Sequence, residues 1–156
     1  MRVGLGYDAH VLKTGRSLVL GGVQVPYEKG LEGYSDADVL VHAIMDALLG
    51  AAGLADIGQQ FPTGDPQYKG ISSIHLLERT GLMVGAEGFT INNIDSVLIA
   101  QAPKIASYMD EMRSNIAAAL QIDASRVMVK ATTTDELGFA GRGEGMAAQA
   151  IALLEE

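Results

Sequence analysis

Val3-Gly-Leu-Gly-Tyr-Asp-Ala-His10 sorts its residues into two sets by alternation: Gly4, Gly6, Asp8 and His10 on one side, Val3, Leu5, Tyr7 and Ala9 on the other. Period two is the signature of a β-strand, and Val3 to Ala9 reads as one. Neither set is simply polar, so a sheet built on this strand has two faces to bury. Helices can cover the first face, and association with further copies of the chain is the obvious cover for the second.

Outward from this strand the pattern at first stays β. Ser17 to Val25 reads as two short strands meeting at Gly21-Gly22, a dipeptide that accepts the positive φ of a tight hairpin turn. From Asp36 the chain runs through Val, Leu, His, Ile and Met without Gly or Pro until Gly50. That predicts a helix with Ser35 as its N-cap and with Asp36 and Asp38 on the favourable first turn. Asp56 to Gly70, with three Gly and two Pro among polar residues, predicts a long loop of the kind that carries function. Ile71 to Val84 is expected to be helical, Thr90 to Ala100 a long strand, and Pro103 to Leu120 a helix with Pro at its first turn. Arg126 to Ala131 reads as a strand, Thr132 to Gly143 as a Thr- and Gly-rich loop, and Glu144 to Leu154 as an Ala-rich helix. No repeat, linker or low-complexity tract interrupts this. The expected fold is α/β (α+β), a mixed sheet with helices on one face, in a single domain over residues 1–156.

A chain of 156 residues can bury roughly two thirds of the surface it exposes when unfolded, enough for a core without staples. Cysteine is absent, which excludes disulfides, thiolate metal sites and a cysteine nucleophile. Any metal must be held by His, Asp or Glu. The formal charge of -8 argues against nucleic acid or an anionic membrane as partner, since both require clustered Lys and Arg. Met1 to Asp8 lacks the apolar run of a secretory signal, and no stretch approaches the ~20 apolar residues of a membrane span. The cytoplasm is therefore the expected location.

Asp8 and His10, two apart on the strand, point to the same face and make a metal-ready pair. His42 lies in the predicted helix with Asp38 and Asp46 one turn before and after it, so a polar stripe crosses an otherwise apolar element. Two imidazoles and a carboxylate would form a three-ligand zinc site with an open position, the catalytic arrangement, able to polarise a phosphoryl oxygen. The competing reading is that each His is an ordinary hydrogen-bonded structural residue, as His75 is expected to be. A second constellation, Lys130-Ala-Thr-Thr-Thr-Asp-Glu-Leu-Gly-Phe-Ala-Gly-Arg-Gly-Glu-Gly145, offers hydroxyls and Gly-released N–H groups that can cradle phosphate oxygens, with Lys130 and Arg142 adding charge. An ordinary loop with turn glycines is the alternative there. A third stretch, Ala100 to Ala106, leaves a strand and enters a helix, a junction that suits anions but usually binds nothing.

Together Asp8-Ala-His10, Ser35-Asp-Ala-Asp-Val-Leu-Val-His42, Asp56-Ile-Gly58, Phe61-Pro62, Ala100-Gln-Ala-Pro-Lys104, Lys130-Ala-Thr-Thr-Thr134 and Gly141-Arg-Gly-Glu-Gly145 closely resemble the 2-C-methyl-D-erythritol 2,4-cyclodiphosphate synthases, in register from residue 1 to about 154. The resemblance implies a homotrimer with active sites between subunits. It also implies a substrate, 4-(cytidine 5'-diphospho)-2-C-methyl-D-erythritol 2-phosphate, from the non-mevalonate (MEP) pathway of isoprenoid biosynthesis, cyclised with loss of CMP.

By the same resemblance Asp8, His10 and His42 ligate Zn2+. Ala9, Tyr34 and Ser35, with the loop residues Asp56, Ile57, Gly58, Phe61, Pro62, Thr63, Gly64 and Asp65, handle the erythritol and ribose parts. Ala100, Gln101, Ala102, Pro103, Lys104, Ile105 and Ala106 receive cytosine largely through main chain. Thr132, Thr133, Thr134 and Asp135 serve the diphosphate, Asp135 through a second divalent cation, Mg2+ or Mn2+. Thr133 is credited with transition-state support, as is the His that usually stands where this chain has Tyr34. Three more positions depart from the family pattern: Thr63 for Asp, Asp135 for Glu, and Gln149 for an acid. Gln149 touches a central trimer cavity where an isoprenoid diphosphate can sit near Phe139 and Arg142. The rival expectations are a non-catalytic trimeric nucleotide-binding module and a zinc phosphohydrolase that uses a metal-bound water.

Overall fold

β1 (Arg2–Thr14) extends several residues beyond the predicted strand at its C-terminal end and anchors everything else. The structure, a computed structural model, describes residues 1–156. β2 (Leu18–Leu20) and β3 (Val23–Val25) form the expected hairpin across Gly21 and Gly22, both at positive φ. β4 (Lys29–Leu31), too short to stand out in the sequence, pairs with the end of β1. Then follow α1 (Val39–Ala52), α2 (Ile57–Gln60), α3 (Ser73–Ala86), β5 (Thr90–Ile99), α4 (Met109–Leu120), β6 (Val127–Thr132), α5 (Gly138–Gly141) and β7 (Gly145–Glu155). The sheet order is β4-β1-β7-β5-β6, antiparallel except for the parallel pair β5 and β6. α1 packs on β1 and β7, α4 on β6, and α3 against both helices. The chain is thus one α/β domain with a mixed sheet. No helix is long and apolar enough to cross a membrane.

Four expectations need correction. Glu144 to Leu154 is not a helix: Gly145–Glu155 is β7, between β1 and β5. Alanine favours helices by only tenths of a kcal/mol over most residues. Here Ala148, Ala150, Ala152 and Leu154 alternate into the core, and burial on both flanks overrides that preference. The N-cap of α1 is Asp38, whose carboxylate accepts from Val41 N–H at 3.1 Å, rather than Ser35. Asp38, fully buried, also accepts from the Gly21 and Gly22 N–H groups, so it ties the β2–β3 turn to α1. The predicted Pro103–Leu120 helix begins only at Met109, after a 3₁₀ turn over Ala106–Tyr108. Its acidic first turn, Asp110 and Glu111, is the true start signal. Finally, the predicted loops hold short helices, α2 and α5, and a 3₁₀ turn at Pro66–Tyr68.

Gly4 and Gly6 set the distance between helix and sheet. A Cβ at Gly6 would lie 1.8 Å from the Ala43 carbonyl oxygen, and one at Gly4 2.0 Å from that of Ala47. Ala43, Ala47 and Ala51 recur every fourth residue, so one small-residue stripe of α1 rests directly on the β1 backbone. The opposite sheet face is open and largely apolar: Val3 and Leu5 are each 69% exposed, and Tyr7, Val11, Met128 and Ile151 share the face with Gln149 and the Asp95–Lys130 pair.

A candidate metal centre and its pocket

The glycine side of β1 continues into Asp8 and His10. Gly4 meets the Ala47–Ala51 turn of α1 and Gly6 the Ala43–Ala47 turn, so the helix runs antiparallel to the strand and its first turns pass over Asp8 and His10. His42 projects from there, almost fully buried. The three donors converge: His10 Nε2 to Asp8 Oδ2 is 2.8 Å, His42 Nδ1 to Asp8 Oδ2 3.1 Å, and His10 Nε2 to His42 Nδ1 3.2 Å. Tetrahedral coordination at the usual bond lengths puts ligand atoms about 3.3 Å apart, so the trio fits a divalent cation with one side left open. The far nitrogens are also engaged. His10 Nδ1 lies 2.8 Å from the Glu32 carbonyl, which can only accept, so Nδ1 carries a proton there.

Charge agrees with this geometry. Burial opposes ionisation of Asp8, but hydrogen bonds and charge from His10 and His42 outweigh it and hold the carboxyl at about 2. Burial likewise works against a charged His10, and Asp8 reverses it, raising the imidazole above its ordinary value. A cation and protons compete for the same donor atoms, so binding at this trio should weaken as pH falls.

The trio opens into a pocket of about 170 Å³ that also receives the predicted Tyr34, Ser35, Ile57, Gly58, Phe61 and Thr63. Asp56 caps α2 behind it, and Asp46 accepts from Ile57 N–H at 2.9 Å. Pro62, Gly64 and Asp65 belong to the same loop but do not line the pocket. The Tyr34 hydroxyl donates to the Asp65 carbonyl at 3.1 Å, and Phe61 meets Tyr68 edge to face, so the loop is fastened to the site's rim. Ala9 is exposed, its side chain on the open sheet face. Met45, Tyr68 and Leu76 complete the wall unforeseen. Only the helical spacing of Met45 from His42 could have signalled any of them.

The other predicted residues gather elsewhere. Ala100 N–H donates to the Thr132 carbonyl at 3.0 Å, and Glu136 N–H to Gln101 Oε1 at 3.2 Å. Segments 100–106 and 132–135 therefore leave the neighbouring ends of β5 and β6 as one unit, at the carboxyl end of a parallel pair where α/β proteins bind ligands. Thr132, Thr133 and Asp135 are exposed, Ile105 is buried, and Asp135 holds positive φ. None of these residues lines the metal pocket of the same chain. The charge expected of Lys130 and Arg142 is partnered instead: Lys130 pairs with Asp95 at 2.6 Å and Arg142 with Glu144 at 2.8 Å. His75 sits exposed beside Glu78, away from the site.

The sequence model of the YgbB family matches residues 1–155. A 2-C-methyl-D-erythritol 2,4-cyclodiphosphate synthase from Desulforamulus reducens is 59% identical, over 100% of this chain and 99% of that one. One from Pelotomaculum thermopropionicum is 60% identical over 100% and 96%. Among solved structures, the bifunctional IspDF of Campylobacter jejuni superposes with a TM-score of 0.94 at 45% identity, covering 98% of this chain but 42% of that chain. IspF of Plasmodium falciparum, in a CDP complex, superposes with 0.86 at 35% identity over 98% and 94%.

Proposed function

This chain belongs to the YgbB family, and on that premise we propose how its residues divide the work of a cyclodiphosphate synthase. The reaction converts 4-(cytidine 5'-diphospho)-2-C-methyl-D-erythritol 2-phosphate into 2-C-methyl-D-erythritol 2,4-cyclodiphosphate and CMP, a lyase step of the non-mevalonate pathway. The observation that carries the assignment of roles is the convergence of Asp8, His10 and His42 within 3.2 Å of one another at the mouth of a preformed pocket.

The 2-phosphate oxygen attacks the β-phosphorus. A new P–O bond closes the ring while the bond from that phosphorus to the oxygen shared with the α-phosphate breaks, and CMP leaves with that oxygen. Two anionic groups must be brought into line, so catalysis is positioning and charge neutralisation. Zinc, held by Asp8, His10 and His42, supplies Lewis acidity toward the phosphoryl oxygens when bound. The pocket from Ile57 to Thr63 seats the erythritol and ribose parts, and Ser35 and Tyr34 face them. Segment 100–106 seats cytosine. Thr133 donates to a phosphate oxygen in the transition state, and Asp135 holds a second cation, Mg2+ or Mn2+. Incubating the protein with the CDP substrate and reading products by mass should give CMP and the cyclic diphosphate in equal amounts. Inorganic phosphate would indicate a hydrolase, and binding without turnover a non-catalytic module.

Two supports favour a trimer with shared sites: the uncovered apolar face, and the separation of the metal pocket from the 100–106 and 132–135 unit within one chain. Three copies packed by that face would bring each metal pocket to a neighbour's diphosphate unit, with Phe139 and Arg142 toward a central cavity for an isoprenoid diphosphate. Coexpressing inactive His42→Ala and inactive Thr133→Ala chains should then restore about a quarter of wild-type activity, the share of interfaces that combine two intact halves in random mixing. No recovery in mixed trimers verified by mass would exclude the shared site.

A further inference from the structure

We infer that Ser73, held by Asp36, is the positioning residue that fixes His42 as a metal ligand, an Asp36–Ser73–His42 relay behind the site; this rests on the metal reading above. Ser73 is the first residue of α3 and is completely buried. Its N–H donates to Asp36 Oδ2 at 3.1 Å, and its hydroxyl makes a short hydrogen bond to Asp36 Oδ1. A carboxylate only accepts, so the Ser73 proton is committed to Asp36 and its oxygen presents lone pairs on the other side. There His42 Nε2 lies 2.9 Å away. It must therefore be the donor, which in the neutral imidazole puts the proton on Nε2 and leaves Nδ1 free to ligate a cation. Nδ1 is the nitrogen facing Asp8 and His10. In the other tautomer an N–H would point into the cation's seat.

Ser35 does not fix this choice. Its oxygen is 3.2 Å from His42 Nε2, but it accepts from Ala37 N–H and its own proton is free to turn. Asp36, by contrast, is itself held: its N–H donates to the Ile71 carbonyl at 3.1 Å, and its Oδ1 accepts from Asp38 N–H at 3.2 Å. His10 reaches the same end more simply, through the Glu32 carbonyl. Both imidazoles are thus oriented from behind, one by main chain and one by a carboxylate acting through a hydroxyl. Partners of this kind set ligand tautomer and basicity, and their loss typically costs 10–100-fold in metal affinity.

The test is a zinc competition titration of wild type, Ser73→Ala, Ser73→Thr and Asp36→Asn, with nitrogen-15 spectra of the His42 ring in the zinc-loaded proteins. Ser73→Ala is expected to bind zinc roughly 10–100-fold more weakly and to lose the slowly exchanging Nε2–H signal. Ser73→Thr, which keeps the hydroxyl, should recover most of the affinity and the signal. Asp36→Asn should fall in the same direction by a smaller factor, and it carries the test if Ser73→Ala does not fold. Wild-type affinity in Ser73→Ala, or in Asp36→Asn where Ala is unfolded, overturns the relay. So does an affinity loss that leaves the Nε2–H signal intact and that Thr does not rescue. Failure of the wild type to bind one zinc per chain overturns the metal reading itself, and the relay with it.

Discussion

Replacing His42 by alanine is expected to strip the protein of zinc and to stop CMP release. Structural zinc sites with four ligands bind with about 10–16 kcal/mol, so one ligand carries roughly 3–4 kcal/mol, a few hundred-fold in affinity. Asp8 and His10 alone leave two donors, too few for a closed site at cellular metal levels. His42 is also almost fully buried between β1 and α3, so no neighbouring side chain is positioned to take its place. The turnover rate should fall by three orders of magnitude or more, on the order of the lost affinity compounded by the lost alignment of the phosphates. His75→Ala is the matched control, because His75 is exposed and pairs only with Glu78. It should keep both zinc and rate. Full zinc occupancy with wild-type turnover in His42→Ala would remove the basis of the metal assignment.

A second large effect is expected from one methyl group on β1, two residues before Asp8. In Gly6→Ala the new Cβ would stand 1.8 Å from the Ala43 carbonyl oxygen and 2.8 Å from the Ala47 nitrogen. Both are backbone atoms, so no rotamer relieves the clash and α1 as a whole must move off the sheet. Overpacking usually costs 1–3 kcal/mol where side chains can adjust. Here the cost should exceed about 3 kcal/mol by the same reasoning, and His42 moves with the helix, so zinc affinity should fall as well. Gly50→Ala supplies the contrast within the same helix. Nothing lies within 4 Å of a Cβ there, so that change should stabilise by about 0.5–1 kcal/mol, the ordinary gain of Ala over Gly in a helix interior. Urea denaturation of the two variants reads both signs. A Gly6→Ala protein with wild-type midpoint and zinc affinity would show that close approach of α1 is not what builds the site.

The alternation of Val3 to His10 was enough to place β1, to put Asp8 and His10 on one face, and to foresee an apolar face left over. His42 was legible because a polar residue stands out in a helix whose other positions are apolar. β7 was not legible, because the small side chains that let α1 lie against the sheet are the residues that also favour helices. Its place between β1 and β5 is decided by pairing with strands distant in sequence, which no local window contains. The Asp36–Ser73 contact spans 37 residues, and Asp36 looked like an ordinary first-turn acid. The helix start was displaced to Asp38 because Ala37 adopts a left-handed conformation, φ 58°, that breaks the run before the helix begins.

β7 follows every other element in sequence yet lies in the middle of the sheet, pairing Arg2 with Leu154 on one side and Thr90 with Glu155 on the other. A chain emerging from the ribosome therefore cannot assemble this sheet piecemeal. β1 and β5 wait with unpaired edges until residues 145–155 clear the exit tunnel, and contacts of such long sequence separation form slowly because closing the loop precedes any gain. In that interval two apolar strand edges are open to pairing with other chains. The step that completes the sheet is thus also the one that closes these two edges to other chains.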